Sequence, residues 1–289
     1  MASKESKPTE PATQASVWSG PDRNYKIARR VALDWGAGIM AAFTASPIIM
    51  AVDKAVVEGT SGSKGVFQSF FGTLKDSIKN PIALIKSREF LWIFGVYATT
   101  YMAANSIDSV CKIMQMSDVI PKLIGVTAVN MTMSILKDRA FALAFGRAVS
   151  HKVPMISYGL WLFRDVLTMG AAFVIPSRAS KYLQDNHGME KGAADKVSLV
   201  SFPILFQVFL APVHMLGIDF FNFKERAFKE RIDFLKPKYI STVGIRMLRM
   251  GAAYGIGGVN NRSFRDKLVS HFEGQDWDKT YVSSKLPRA

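Results

Sequence analysis

TASPIIMAVDKAVV, residues 44–57, decides the reading of the whole chain, because its plan of small and apolar residues ending in charge returns twice further on. NMTMSILKDRAFA (130–142) and LAPVHMLGIDFFN (210–222) lie over it with Pro47, Thr132 and Pro212 in register, and Lys54, Arg139 and Asp219 then share an offset of seven. The aligned positions recur roughly every eighty residues, the mark of a repeat architecture. A second set alternates with the first: FLWIFGVYATTYMAANSID (90–108), GLWLFRDVLTMGAAFVIPSR (159–178) and IRMLRMGAAYGIGGVNNR (245–262), in which Gly95, Arg164 and Arg249 share one position. Apolar helices resemble one another by default, so a single overlay would carry little. Two overlays in alternating order, at nearly one period, indicate three diverged copies of a two-helix unit.

Around these segments the chain has 289 residues, a formal charge of +14 and 21% charged residues, yet a mean hydropathy of +0.12. Such a mixture requires segregation. Apolar blocks of about twenty residues alternate with Lys- and Arg-rich stretches, as when helices cross a bilayer and loops lie at its anionic surface. A nucleic-acid binder would instead gather its basic residues on one face of a soluble core, so no nucleic-acid partner is expected. Six candidate spans follow, at about 31–53, 90–110, 121–146, 155–176, 199–222 and 240–259. The expected fold is an all-α integral membrane protein with six transmembrane helices, arranged as three pseudo-repeats of two, with amphipathic surface helices. Its expected divisions are a disordered polar tail over 1–27, a membrane domain over 28–270 with repeats at about 31–112, 118–183 and 197–269, and a polar tail over 271–289.

Between the first two spans, Phe67, Phe70, Phe71, Leu74, Ile78, Ile82 and Ile85 recur at roughly helical spacing among lysines, which predicts an amphipathic helix lying in the interface. Trp18, Trp35, Trp92 and Trp161 fall near span ends, where interfacial anchors sit. Asp34, Lys137, Arg139, Arg164, Asp165, His214, Asp219, Arg246 and Arg249 lie within the spans or at their ends. An ionisable group facing lipid costs several kcal/mol. These groups should therefore turn inward to a cavity or to one another, apart from those that snorkel from helix ends.

Other chemistries find little support. Cys111 is the one cysteine, so no intrachain disulfide or cysteine motif can form. His151, His187, His214 and His271 have no metal-ligand spacing, so no metal and no cofactor is expected. GAAYGIGG (251–258) has no flanking strand, and its Gly251, Gly255 and Gly258 suit close helix approach rather than phosphate binding. No Ser-His-Asp, Cys-His or paired-carboxylate arrangement argues for an enzyme. Residues 1–23 lack both the apolar run of a secretory signal and the Arg-rich pattern of a presequence.

A threefold repeat of two spans joined by a surface helix, within about 300 residues, resembles the mitochondrial carrier family over residues 28–270. The resemblance implies the mitochondrial inner membrane, a bilayer partnership that includes cardiolipin, and a small-molecule solute. In that family each odd helix carries Pro, an acid two residues on and a base five residues on, and these pair across repeats to close a gate. Here Pro47 and Pro212 keep the kink, while Ile49, Ser134 and His214 stand at the acidic position and Val52, Lys137 and Gly217 at the basic one. Asp53, Lys54, Asp138, Arg139 and Asp219, slightly further on, are candidates for a substitute network. For the opposite gate, Asp108 and Lys112 match repeat one, whereas repeats two and three offer Arg178, Lys181, Arg262 and Arg265 without matching acids.

The resemblance is strongest in WLFRDVLTMGAAF (161–173). There it implies that Arg164 and Asp165 contact an amino-acid-type solute, with Arg249 as a cavity arginine. Chemically, a guanidinium fixes a carboxylate through parallel hydrogen bonds, and an adjacent carboxylate meets an ammonium. Gly95, Arg164, Asp165 and Arg249 are the candidate substrate positions. Pro47, Asp53, Lys54, Lys137, Arg139, Pro212, His214 and Asp219 are the candidate gate or kink positions. Two functions remain open: a transporter of a small anionic or amino-acid-like solute, and a carrier-fold scaffold with a protein partner that no longer transports. An unrelated polytopic fold that mimics the repeat is the third reading.

Overall fold

In a computed structural model that describes residues 23–114, 116–147 and 152–273, the regular structure is helical, with no strand among those residues. The expected polar tails lie mostly outside them. The inner edges differ from expectation, since helix α1 begins at Arg23 and the last helix runs to Glu273.

Helix α1 (Arg23–Ser61) has 39 residues, about 58 Å at 1.5 Å per residue. It is longer than the roughly 30 Å hydrocarbon core and must project from it. It runs unbroken through Pro47. Its C-terminus closes on Gly62 at φ 75°, with Gly62 N–H bonded to the Gly59 carbonyl at 3.1 Å and Ser63 N–H to the Glu58 carbonyl at 2.9 Å. That pair of bonds is a Schellman motif, and its left-handed residue favours glycine. The chain then turns back into α2 (Val66–Lys79) and α3 (Pro81–Lys86). Glu58 accepts from Ser69 Oγ at 2.6 Å, and Gly59 lies so close to Val66 that an added Cβ would sit 2.3 Å from its Cγ2. Phe67, Phe71, Ile78, Ile82 and Ile85 remain exposed while Phe70 is buried, which agrees with the expected interfacial helix. The helix is in two pieces because Pro81 opens the second as its first residue.

The next helices are α4 (Arg88–Ile113), capped by Ser87 through a 3.2 Å bond from Phe90 N–H, and α5 (Val119–Phe145). Helix α6 (Met155–Met169) passes through a π-turn at Gly170–Val174 into α7 (Ile175–His187). Helices α8 (Lys191–Leu205) and α9 (Gln207–Asn222) are joined at Phe206, and α10 (Phe228–Leu235) follows. Helix α11 (Tyr239–Met250) passes through a second π stretch, Gly251–Gly258, into α12 (Val259–Glu273). The predicted spans fall on these rods, most of which run further than expected, as where α8 begins at Lys191 for the expected 199, while α5 ends at Phe145 for the expected 146.

Among the described residues, three helices are long and apolar enough to cross a membrane: Asn24–Ser61, Val119–Phe145 and Lys191–Asn222. Around them the rods pack in chain order. Helix α1 lies on α4, α4 on α5, α5 on α6, α6 and α7 on α9 and α8, and α11 on α8 and α9, while α12 returns to α1. Ala37, Ala41, Ala42 and Ala45 of α1 are fully buried, and such small residues allow backbones to approach closely. At Gly38 an added Cβ would lie 2.9 Å from the Met102 backbone nitrogen, and at Gly257 it would lie 2.1 Å from Tyr101 Oη. Close approach therefore occurs in the glycine-rich run, but at Gly257. Gly251 and Gly255 have nothing within 4 Å of an added Cβ, and Gly258 meets only the Ala253 carbonyl at 3.8 Å. Phe43, Leu91, Ile124, Phe163, Val166, Phe209 and Leu248 stay exposed, as suits side chains that face lipid.

Candidate functional site

Lys137 and Asp138 are neighbours on α5, each less than 5% exposed. Both find partners across the bundle. Lys137 Nζ lies 2.6 Å from Asp53 Oδ2 of α1 and 2.5 Å from Asp138 Oδ1. Arg164 of α6 donates from Nη2 to Asp138 Oδ2 at 2.7 Å and to Asp165 Oδ1 at 2.6 Å, and from Nε to the same Asp165 oxygen at 3.0 Å. Its Nη1 meets His214 Nδ1 of α9 at 2.6 Å. Because a guanidinium only donates, this Nδ1 accepts, which assigns the proton to Nε2. Arg249 of α11 completes the chain with Nε 2.7 Å from Asp53 Oδ1. An unbroken line of charge thus runs Arg249, Asp53, Lys137, Asp138, Arg164, Asp165. Burial of each ion costs several kcal/mol after relaxation, and opposite charges in direct contact offset that cost.

This cluster takes in some of the residues named as candidates for a substitute network and leaves out others. Asp53 and Asp138 join it. Lys54 instead lies over the Phe145 ring at 5.0 Å, and Arg139 is exposed. Asp219 is fully buried but pairs within its own repeat, with Arg226 at 2.7 Å and Arg231 at 2.6 Å. The shared offset of Lys54, Arg139 and Asp219 therefore marks no shared role. At the gate positions themselves, Ile49 and Val52 are core residues, and Gly217 is occupied by a neighbour: an added Cβ would lie 2.5 Å from Trp161 Nε1. Trp161 is fully buried over that glycine, which corrects its reading as an interfacial anchor. Trp35 is 47% exposed and donates to Ser106 Oγ at 3.0 Å, as an anchor does.

Of the substrate candidates, Arg164, Asp165 and Arg249 come together in this cluster. Gly95 does not join it. An added Cβ there would meet only Met133 Cε, at 3.6 Å. Pro47 and Pro212 lie inside α1 and α9, which continue through them. The π stretches also change the register of the even-helix overlay. Each begins at the glycine of a Met-Gly-Ala-Ala motif, at Gly170 and Gly251. Laying these motifs together pairs Asp165 with Arg246 and Thr168 with Arg249, about one helical turn away from the pairing of Arg164 with Arg249.

A second cluster occupies the opposite end of the bundle. Asp34 of α1 accepts from Arg265 Nε of α12 at 2.7 Å and from Ser109 Oγ of α4 at 2.5 Å, with Arg30 Nε 3.8 Å away. Asp108 binds Arg265 at 2.6 Å, Lys122 at 2.6 Å and Lys112 at 3.0 Å, and Lys122 also pairs with Asp118. Asn105 and Asn261 exchange bonds of 2.9 Å. The expected Asp108 and Lys112 are here, and Arg265 has two carboxylates where none was foreseen. Arg178, Lys181 and Arg262 are exposed. The i,i+4 spacing of Arg30 and Asp34 was the signal available in the sequence for the added members. Gln207, Asn105 and Asn261 carried none.

Outside the spans, Lys238 lies 3.1 Å above the Phe234 ring. Burial, with Arg226 and Arg147 nearby, pushes its amine down to about 8. Among the described residues no group of three or more His, Cys, Asp or Glu could hold a metal.

No curated protein and no solved structure matches the chain. A family model described as "probable citrulline exporter" matches residues 37–269, a span that takes in the whole Asp53–Arg164 cluster and most of the opposite one. The chain, a multi-pass membrane protein with charge buried among its helices, belongs to this probable citrulline exporter family.

Proposed function

We propose that the protein exports a small amino-acid-like solute, citrulline or a close relative, across the mitochondrial inner membrane by alternating access in a six-helix bundle of three pseudo-repeats. The observation that carries this reading is the parentage of the buried cluster. Asp53 comes from the first repeat, Lys137, Asp138 and Arg164 from the second, and His214 and Arg249 from the third. A network that ties three repeats near the C-terminal ends of α1, α5 and α9 acts as a gate. While it is intact, the odd helices converge. Solvation of the separated charges, or their exchange for solute contacts, offsets the cost of parting them. Packing of the rods in chain order, with the last returning to the first, and matching π-turns in two even helices support the threefold arrangement. The family match supports the solute class. Inner-membrane residence rests on the repeat's resemblance to mitochondrial carriers.

The test is counterflow. Purified protein in vesicles loaded with L-citrulline should accumulate labelled L-citrulline saturably, and Asp53→Asn should reduce that uptake strongly. Vesicles that exchange neither citrulline nor any member of an amino-acid panel would sink the transport reading in favour of a scaffold. Immunogold labelling or organelle fractionation checks the membrane assignment separately.

A further inference from the structure

Arg246 of α11 is 3% exposed and belongs to the same charged interior, within electrostatic reach of Arg164, Arg249, Asp53 and Asp138. Its pairing differs from that of its neighbours. Lys137, Arg164 and Arg249 each touch at least one carboxylate, whereas the one partner of Arg246 among the described residues is neutral: Nε donates to Gln207 Oε1 at 3.0 Å. Gln207 is itself fully buried at the first turn of α9, and its amide nitrogen is committed to the Pro203 carbonyl at 3.0 Å. The amide oxygen is therefore held facing the guanidinium. The Nη groups, which form the planar fork suited to a carboxylate, make no hydrogen bond among the described residues. A cation buried without a counter-charge is costly, and two further arginines nearby increase that cost. A bound carboxylate removes it.

We propose that Arg246 binds the carboxylate of the exported amino acid through its two Nη groups, with Gln207 setting the plane of the guanidinium. The assignment rests on the transport reading above. Arg249, whose Nε is held by Asp53, serves the gate, and Arg246 one turn earlier serves the solute. Binding of a carboxylate beside Arg249 and Asp53 places the solute's negative charge next to the pair that must part, which couples occupancy to opening.

The experiment is vesicle counterflow with two probes, L-citrulline and its α-carboxamide, in three proteins. Wild type should transport citrulline and discriminate against the carboxamide by about tenfold or more, the scale of one charge-assisted pair. Arg246→Gln should lose about that factor for citrulline while leaving the carboxamide unchanged, so that the discrimination disappears. Gln207→Glu supplies an internal carboxylate. It should raise the melting temperature and abolish citrulline uptake, and this variant gains an ion pair, so it remains informative if Arg246→Gln fails to fold. Wild-type transport with unchanged acid-to-amide discrimination in Arg246→Gln, or full transport by Gln207→Glu, overturns the assignment and leaves the exporter standing. Wild type that moves neither probe removes the exporter reading, and this assignment falls with it.

Discussion

The two ends of the helix bundle handle buried charge differently. At the end built from Arg30, Asp34, Asp108, Lys112, Lys122 and Arg265, every one of these cations meets a carboxylate, and Arg265 adds bonds to Ser109 Oγ and the Asn105 carbonyl. The contributing helices are α1, α4, α5 and α12. At the other end the cluster draws on α1, α5, α6, α9 and α11, and among the described residues Arg246 there meets no carboxylate. A fully paired cluster at the margin behaves as a strut. On the proposed function, the incompletely paired one accepts an anion and rearranges, because a carboxylate would offset the cost of the buried guanidinium.

The comparison can be broken most severely at Asp53, the carboxylate shared by Lys137 and Arg249. Asp53→Ala should cost about 3–5 kcal/mol by stranding two buried cations, read as a large drop in melting temperature in mild detergent together with loss of uptake. Arg265→Gln, at the strut end, should cost about 1.5–3 kcal/mol, the value of charged hydrogen bonds. Its citrulline KM should be unchanged, and a KM shift as large as that of Arg246→Gln would erase the distinction between the ends. Gly217→Ala should cost about 1–3 kcal/mol by overpacking against Trp161, and Trp161→Phe should restore part of the loss in a double-mutant cycle.

The smallest effect lies outside both clusters, at Lys238. Its folded pKa, about 8, is below the ordinary lysine value of 10.5, so the folded state binds fewer protons between those values. Stability should rise as pH increases from about 8 towards 10.5, and well below 8, where the amine is charged in both states, its destabilisation is at its full value and no longer changes with pH. Lys238→Met should flatten that rise in pH-dependent unfolding. An unchanged slope would remove Lys238 as its source.

Much of the site was legible as a cost. Asp34, Lys137, Arg164, Asp165, His214, Asp219, Arg246 and Arg249 are buried or nearly so, as their positions in apolar spans required, and only Arg139 among that set is exposed. Their partners were not legible. Asp53 and Arg249 are 196 positions apart, and Arg265 and Asp34 are 231 apart, so pairing waits on the relative height of rods that meet only after folding. Asp219 shows how a repeat misleads. It aligns with Lys54 and Arg139, but Arg231 of the surface helix α10 reaches it from within the same repeat. Trp161 fails for a similar reason, since the gap that receives it is made by Gly217 on another rod.

From the sequence by itself came the helical class, the positions of the rods, the amphipathic connector and the inward turn of the charges. Each of these depends on one segment and its solvent, and hydropathy and periodicity report both. Only the tertiary structure decided which charge meets which, that Asp53 rather than Val52 joins the charged cluster, and that Arg246 meets a neutral amide rather than a carboxylate among the described residues. The reason is geometric: an ion pair requires contact within about 4 Å, and a one-residue change turns a side chain by about 100° around its helix, a precision that only the packed bundle supplies.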